Sequence, residues 1–286
     1  MIRQATLPGN SIKSHLEQAK PFLKWAGGKR SLVPEIFQRL PATINLYWEP
    51  FVGGGAVFFA LNSRIHAARL SDVNSELALT YRVVKDNPEG LIERLSVHAD
   101  RHAEKEYYYA VRRKTGSRSS VEVAARLIYL NKTGFNGLYR VNKKGEFNVP
   151  RGSYKNPAIC DADVIRAASS ALQKATLTFQ DFEHVEPGLG DFIYCDPPYD
   201  GTFTDYAMGG FSDNDQLRLR DAAVKWHRTG ASVMISNADT PLIRNLYSVS
   251  PFVFHEVSAK RQINCKDDGR GAYSELLITT YDAAAS

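Results

Sequence analysis

Apolar positions along this chain follow two rhythms, and their alternation predicts the order of its elements. In "PFLKWAGGKRSLVPEIFQRL" a glycine pair gives way to Leu32, Ile36 and Leu40 at helical spacing. The run "INLYWEPFVGGGAVFFALNS" reads as strand, glycine loop and helix. The next, "AARLSDVNSELALTYRVVK", reads as a strand ending in Asp72 followed by another helix. Further on come strands in "ATLTFQDF", "DFIYCDPPY" and "SVMISNAD", the last preceded by a helix in "DNDQLRLRDAAVKWHRTG". That helix places Leu219, Ala222, Ala223 and Trp226 on one face, and Gly230 provides its stop. The chain closes with "PFVFHEVSAKRQI" and "SELLITTY", two strand-like runs around a polar turn, which predict an antiparallel pair. Alternation of this kind predicts an α/β fold with a mostly parallel open sheet, whose ligand sites lie at the carboxyl ends of the strands.

Between Asn87 and Asn156 the rhythm breaks. Short charged helical pieces, "YYYAVRRK" and "VEVAARLIYL", lead into the loop-like "NKTGFNGLYRVNKKGEFNVPRGSY". This predicts a helical insert over residues 87–156 that divides the main domain into 20–86 and 157–286, with a loose arm before about Ala19. The insert also holds the charge. Its residues 101–155 carry thirteen Lys and Arg against four Glu and no Asp, whereas the whole chain has a net charge of only +5. These cations alternate with Tyr, Phe, Asn and Gly, which suits a nucleic-acid surface better than a solvated helix face.

At 286 residues with 43% hydrophobic content, the chain is long enough for one large globular domain with an insert. No apolar run approaches the roughly 18 residues of a membrane span, and the first twenty residues lack a signal-peptide core, so a cytosolic protein is expected. Cys160, Cys195 and Cys265 show no CxxC spacing, which speaks against a zinc site or a disulfide framework. Nothing in the sequence indicates an oligomeric partner.

Candidate chemistry begins with "EPFVGGGAVFF", where glycines between strand and helix let backbone approach a nucleotide-like ligand. Val57 and Phe58 stand where a third glycine would complete a pyrophosphate cradle. Asp72 at the next strand end can accept from both ribose hydroxyls. A nucleoside without phosphates fits this pattern, and S-adenosylmethionine fits it better than NAD. Lys24, Lys29 and the glycine amides of "KWAGGK" suit the acidic end of such a ligand, while Asp181 and Phe182 suit its adenine.

In "DFIYCDPPYDG" an apolar strand stops at an acid, two prolines and a ring. Proline alone explains a strand end, but leaves the acid and the ring unexplained. An exocyclic amine such as adenine N6 is a poor nucleophile, because its lone pair is delocalised into the ring. Two acceptors for its two N–H groups would draw the nitrogen towards tetrahedral geometry. Asp196 is one acceptor; the Pro197 carbonyl, its direction restricted by Pro197 and Pro198, is the other. Tyr199 offers a face on which a base swung out of a duplex can stack. Methyl transfer to such an amine requires orientation and preorganised charge rather than a metal.

The motifs "FLKWAGGK", "EPFVGGGAVFF", "SDVNSEL", "YLNKTGFNGLYRVNKKGEFNVPRGSY", "DPPY", "ISNAD" and "SELLITTY", in this order, resemble the Dam-type N6-adenine DNA methyltransferases of the alpha group. The resemblance covers nearly all of the chain after Lys20. It implies a Rossmann-like, seven-stranded S-adenosylmethionine-dependent methyltransferase sheet with an antiparallel last strand and a helical target-recognition insert. It places the cofactor on Trp25, Lys29, Phe51, Gly53, Gly55, Asp72, Asp181, Phe182 and Asp196, and catalysis on Asp196, Pro197, Pro198 and Tyr199. For double-stranded DNA it assigns Lys24 to the outer guanine of GATC and Leu138, Arg140 and Pro150 to the inner bases, with Phe135 and Asn136 filling the gap left by the flipped adenine. Ser153 departs from the arginine that some members carry before the tyrosine. Three other functions stay open at this point: methylation of cytosine N4 or an RNA base, a non-catalytic DNA-binding regulator, and an NAD oxidoreductase.

Overall fold

A computed structural model describes residues 19–25, 27–114, 119–200, 210–259 and 273–283. The expected N-terminal arm, Cys265 and the polar turn between the last two strands lie outside the described residues. Seven strands form one sheet: β1 (Tyr47–Glu49), β2 (Ala68–Asp72), β3 (Ala175–Phe179), β4 (Phe192–Cys195), β5 (Ser232–Ala238), β6 (Val253–Ala259) and β7 (Tyr273–Thr279). Their order is β3-β2-β1-β4-β5-β7-β6. Strands β1 to β5 pair in parallel, and β7 runs antiparallel to both of its neighbours, as the final pair of apolar runs predicts.

This order reverses direction between β1 and β4, which pair with Tyr47 opposite Phe192 and Trp48 opposite Ile193. At such a reversal the flanking loops diverge and leave a crevice at the carboxyl ends of the strands. The glycine loop after β1 and the Asp-Pro-Pro-Tyr segment after β4 therefore meet at that crevice. Both faces of the sheet are covered, so central strands are apolar throughout instead of alternating. On β4, Phe192 and Tyr194 join one hydrophobic cluster while Ile193 and Cys195 join the other, following the strand's two-residue period.

Nine α-helices are present among the described residues: α1 (Val33–Gln38), α2 (Ala56–Leu61), α3 (Ser75–Asp86), α4 (Pro88–Asp100), α5 (Lys105–Arg113), α6 (Ser120–Thr133), α7 (Ala162–Leu172), α8 (Asp213–Arg228) and α9 (Pro241–Leu246). Leu40, the third apolar residue at helical spacing, falls beyond the end of α1 at Gln38. Side-chain caps fix several starts: Asn74 accepts from the Leu77 amide, and Ser119 and Ser212 each form a reciprocal box with Glu122 and Asp215. Gly230 takes φ +87° just after α8, a conformation that a side chain disfavours.

Leu219, Ala223 and Trp226 of α8 bury against Ile193, Val233 and Ile235. On the opposite face, Tyr81 and Val84 of α3 belong to the same cluster as Leu91 and Leu95 of α4, Tyr108 of α5 and Leu127 and Ile128 of α6. The basic helical segment is thus seated on α3, and the Arg126 guanidinium reaches Glu76 at 3.5 Å.

Candidate active site

Asp196 follows the last residue of β4 and lies beside Lys29, whose ammonium is 2.8 Å from its Oδ1. Lys29 is only 5% exposed; it also donates to the Gly27 carbonyl and lies 4.6 Å from the centre of the Tyr199 ring. Tyr199 is buried, and its hydroxyl donates to Glu275 Oε2 at 3.1 Å. Glu49, at the end of β1, is buried as well and accepts from the Tyr47 hydroxyl at 2.8 Å and the Phe58 amide at 3.1 Å.

Three carboxyl groups from three strand ends therefore crowd one crevice. Burial pushes Glu49 up to about 8, with the charge of Asp196 adding to the shift. Burial also raises Asp196, and Glu275 adds to it, while Lys29 pulls the other way. A pocket whose acids are strained in their charged forms favours a ligand that is cationic or rich in N–H groups.

The residues expected to hold a cofactor flank this cluster. Gly53 and Gly55 have φ of +46° and +69°; a Cβ on Gly53 would lie 2.7 Å from Trp25 Cδ1, and one on Gly55 2.7 Å from the Tyr81 hydroxyl. Glycine is required there both by backbone conformation and by space. Asp72 Oδ1 accepts from the Asn74 amide at 2.9 Å and Oδ2 from the Gly53 amide at 3.2 Å, while burial raises the group to about 6. The cap of α3 is Asn74, so Asp72 ties the glycine loop to β2 instead of serving as the cap.

Phe51 stacks on Phe182 with ring centres 5.4 Å apart, and Phe211 meets Phe51 edge-on at 5.9 Å. Asp181 accepts from the Glu183 amide at 2.9 Å and from Arg218 at 3.1 Å, and the Arg218 guanidinium lies 5.0 Å from the Phe182 ring. A sulfonium nucleoside fits this donor set: glycine amides, buried carboxylates for cationic groups, and a phenylalanine pair for a purine.

Behind the prolines runs a chain of buried amides. Gln216 of α8 donates to the Pro198 carbonyl at 3.1 Å and accepts from the Asn237 amide group at 3.0 Å. Asn237 Oδ1 in turn accepts from the Ala238 and Asp200 backbone amides. Sequence reasoning did not single out Gln216, Arg218, Glu49 or Glu275. For the two glutamates a signal existed, a lone acid at the edge of an apolar strand; for Gln216 there was none.

All the predicted DNA residues except Lys24 lie on the loop after α6. Isolated bridges pair Gly134 with Arg151 and Val141 with Phe147, and the Phe135 amide donates to the Pro150 carbonyl at 2.9 Å. Phe135, Arg140 and Pro150 are exposed, Asn136 sits at φ +54°, and Leu138 packs on the core from a half-buried position. Arg140 Nε donates to Asn148 at 2.7 Å. Lys143 and Lys144 project from the turn, whereas Lys132 is half-buried and its pKa is lowered by burial and by Lys24.

This loop directly touches the segment holding Lys24 and Trp25. Asn131 accepts from the Lys24 amide and donates to the Lys24 and Gly137 carbonyls, Trp25 stacks on Tyr139 at 5.7 Å, and the Lys24 ammonium lies 4.1 Å from the centre of the Tyr154 ring.

A seven-stranded sheet with one antiparallel strand, a glycine loop without a pyrophosphate cradle and an acid-Pro-Pro-aromatic strand end together define a methyltransferase acting on a planar amine. Residues 25–263 match the D12 class N6 adenine-specific DNA methyltransferases. The chain is 42% identical to type II methyltransferases of Lactococcus lactis subsp. cremoris and Methanocaldococcus jannaschii, over 95% and 92% of its length and 99% and 100% of theirs. It is 39% identical to a DNA adenine methylase of Vibrio cholerae, over 92% of this chain and 96% of that one. The chain belongs to the D12 class N6 adenine-specific DNA methyltransferases. Membership makes it an enzyme, with DNA as substrate and a methyl donor of the S-adenosylmethionine type.

Proposed function

We propose that this enzyme transfers a methyl group from S-adenosylmethionine to N6 of an adenine in duplex DNA, at GATC, after the base has swung out of the helix into the pocket formed by Asp196 to Tyr199. The observation that carries this reading is the end of β4, where a half-buried acid, two prolines and a buried ring follow the strand that pairs with β1 and its glycine loop. When bound, the cofactor supplies an electrophilic methyl group on a sulfonium.

Everything else falls to the chain. Asp196 accepts one N–H of the amine and the Pro197 carbonyl accepts the other; no described residue donates to that carbonyl. Tyr199, its hydroxyl held by Glu275, presents a fixed face for stacking. Gly53 and Gly55 bring backbone close to the cofactor, and Asp72 offers remaining lone pairs to ribose hydroxyls. Trp25 and Lys29 border the amino-acid end; Phe51, Asp181 and Phe182 border the purine.

Residues 87–156 act as the DNA-reading insert, with the main domain split into 20–86 and 157–286. Lys24 and Arg140 suit guanine edges, Leu138 and Pro150 suit a thymine methyl, and Phe135 with Asn136 fills the space vacated by the flipped base. The exposed Phe135 and the left-handed Asn136, both at the head of a braced loop, support this assignment.

Mapping methylated adenines on a plasmid incubated with the protein and S-adenosylmethionine tests the reading. Methylation confined to GATC is expected. Methylation of adenine in other contexts would discard the target sequence, and product on cytosine N4 would discard the reading of the pocket.

A further inference from the structure

We infer that Gln216 and Asn237 are positioning residues for methyl transfer: a buried amide relay that fixes which carbonyl of the Asp-Pro-Pro-Tyr segment faces the reacting amine. This inference rests on Asp196 to Tyr199 being the amine pocket. Two carbonyls, those of Pro197 and Pro198, compete for that task. The proline rings set φ at both residues, but neither ring fixes ψ of Pro198, so its carbonyl can still swing. In the structure it does not, because Gln216 Nε2 holds it at 3.1 Å.

The direction of every bond in the relay is forced. Backbone amides can only donate, so the Ala238 amide at 2.9 Å and the Asp200 amide at 3.4 Å identify the oxygen of the Asn237 side chain. Its nitrogen must then face Gln216, and it donates to Gln216 Oε1 at 3.0 Å. That leaves the Gln216 nitrogen to face Pro198, where it meets an acceptor. Gln216 and Asn237 are 2% and 0% exposed, so no water competes and a reversed amide would bury two mismatched contacts.

The relay therefore anchors the segment at both ends, Pro198 by its carbonyl and Asp200 by its amide. Thr240 adds a third hold, donating to Asp200 Oδ2 at 2.6 Å. With the Pro198 carbonyl turned towards α8, the Pro197 carbonyl one rigid peptide unit away remains available to the pocket. Gln216 has a firm base for this, since α8 is docked on the sheet through Leu219, Ala223 and Trp226 and is fixed at its start by the Ser212–Asp215 box.

The test compares Gln216→Leu and Gln216→Glu with the wild-type protein on one duplex carrying the mapped site, with melting temperature recorded for each. Gln216→Leu removes the donor, and kcat should fall about 10- to 100-fold, as for a misaligned reacting group, with KM for DNA and for S-adenosylmethionine within about twofold. Gln216→Glu can donate to the Pro198 carbonyl only while its introduced carboxyl is protonated. Its kcat relative to wild type should therefore fall as pH is raised from 6 to 9, a dependence that a merely structural role does not produce.

A Gln216→Leu enzyme that folds and keeps kcat within about threefold overturns the inference. So does a Gln216→Glu to wild-type ratio that is independent of pH, and this second measurement decides alone if the leucine variant does not fold. A wild-type protein that leaves adenine N6 unmethylated fails the proposed function itself; a wild type that methylates it beside variants that match it fails only the relay.

Discussion

The strand end at Asp196 and the loop over residues 134–151 are both irregular segments rich in Pro, Gly or Asn, yet the protein holds them differently. Asp196 to Asp200 is gripped by side chains from five places: Lys29, Gln216, Asn237, Thr240 and Glu275. Most of these groups are buried, so each missing partner would leave a polar atom stranded away from water. The loop after α6 is braced from beneath, by two isolated bridges, the Phe135–Pro150 backbone bond and the side chains of Tyr108, Arg112 and Asn131, which donate to the Val149, Asn148 and Gly137 carbonyls, and it leaves Phe135, Arg140, Lys143 and Lys144 exposed. A reacting amine tolerates little displacement, which calls for a preorganised, dehydrated frame. DNA reading needs long side chains that can reach a groove and adjust there, which calls for a fixed base with free tips.

On this contrast, substitutions at the strand end are expected to act on rate and those in the loop on choice of site. The largest effect is expected for Asp196→Ala, with turnover falling at least about a thousandfold as an essential charge-bearing acceptor is lost. The protein should still fold and keep its DNA affinity, with melting temperature lowered because the Lys29 ammonium, 5% exposed, loses the carboxylate beside it. Turnover within about tenfold of wild type would sink the role given to this carboxylate.

Next in size is Asp72→Ala, for which calorimetry with S-adenosylhomocysteine should show affinity reduced about 10- to 100-fold, as for loss of charge-assisted hydrogen bonds, with DNA affinity unchanged. Equal losses for both ligands would mean that Asp72 matters only as the brace between Gly53 and Asn74.

The loop is tested by Arg140→Ala beside Lys143→Ala, with rates measured on GATC and on its single-base variants. Arg140→Ala should lose about 1 to 3 kcal/mol of discrimination and admit sites that differ at one position, whereas Lys143→Ala should slow every site alike and flatten the salt dependence. If Arg140→Ala merely slows all sites in their original ranking, Arg140 contacts backbone and the contrast between frame and tip needs redrawing.

The smallest effect concerns stability. Glu49 is raised from 4.5 to about 8 in the folded protein, so the folded form keeps a proton that the unfolded chain releases across that window. Stability should decline as pH rises from about 4.5 to 8 and level off above it, with Asp72, raised from 3.8 to about 6, contributing in the same direction at the lower end. In Glu49→Gln the slope of melting temperature between pH 6 and 8 should flatten; an unaltered slope would show that Glu49 ionises in the folded state as it does in water.

Much of this was legible in the chain. Apolar runs, glycine punctuation and strand-end acids are local patterns, and they placed all seven strands, the glycine loop, Asp72 and the Asp-Pro-Pro-Tyr turn where the structure has them. They were less useful where an element lacks a contrasting pattern: α4, α7 and α9 drew no expectation of their own, and α1 stops before Leu40. The charge count located the basic segment without indicating that its helices would share a core with α3.

What only the tertiary structure decided is the pairing of groups far apart in sequence. Lys29 meets Asp196, Tyr199 meets Glu275, Gln216 meets Asn237, and Asn131 ties Lys24 to Gly137 of the loop after α6. Residue type and spacing determine which chemistry a strand end can offer, because strand, turn and helix preferences act over a few neighbours. Which partner neutralises or orients that chemistry depends on sheet order, and sheet order is set by burial over the whole chain. The reversal between β1 and β4 brings the glycine loop and the acid together, and the antiparallel β7 beside β5 delivers Glu275 to the same crevice.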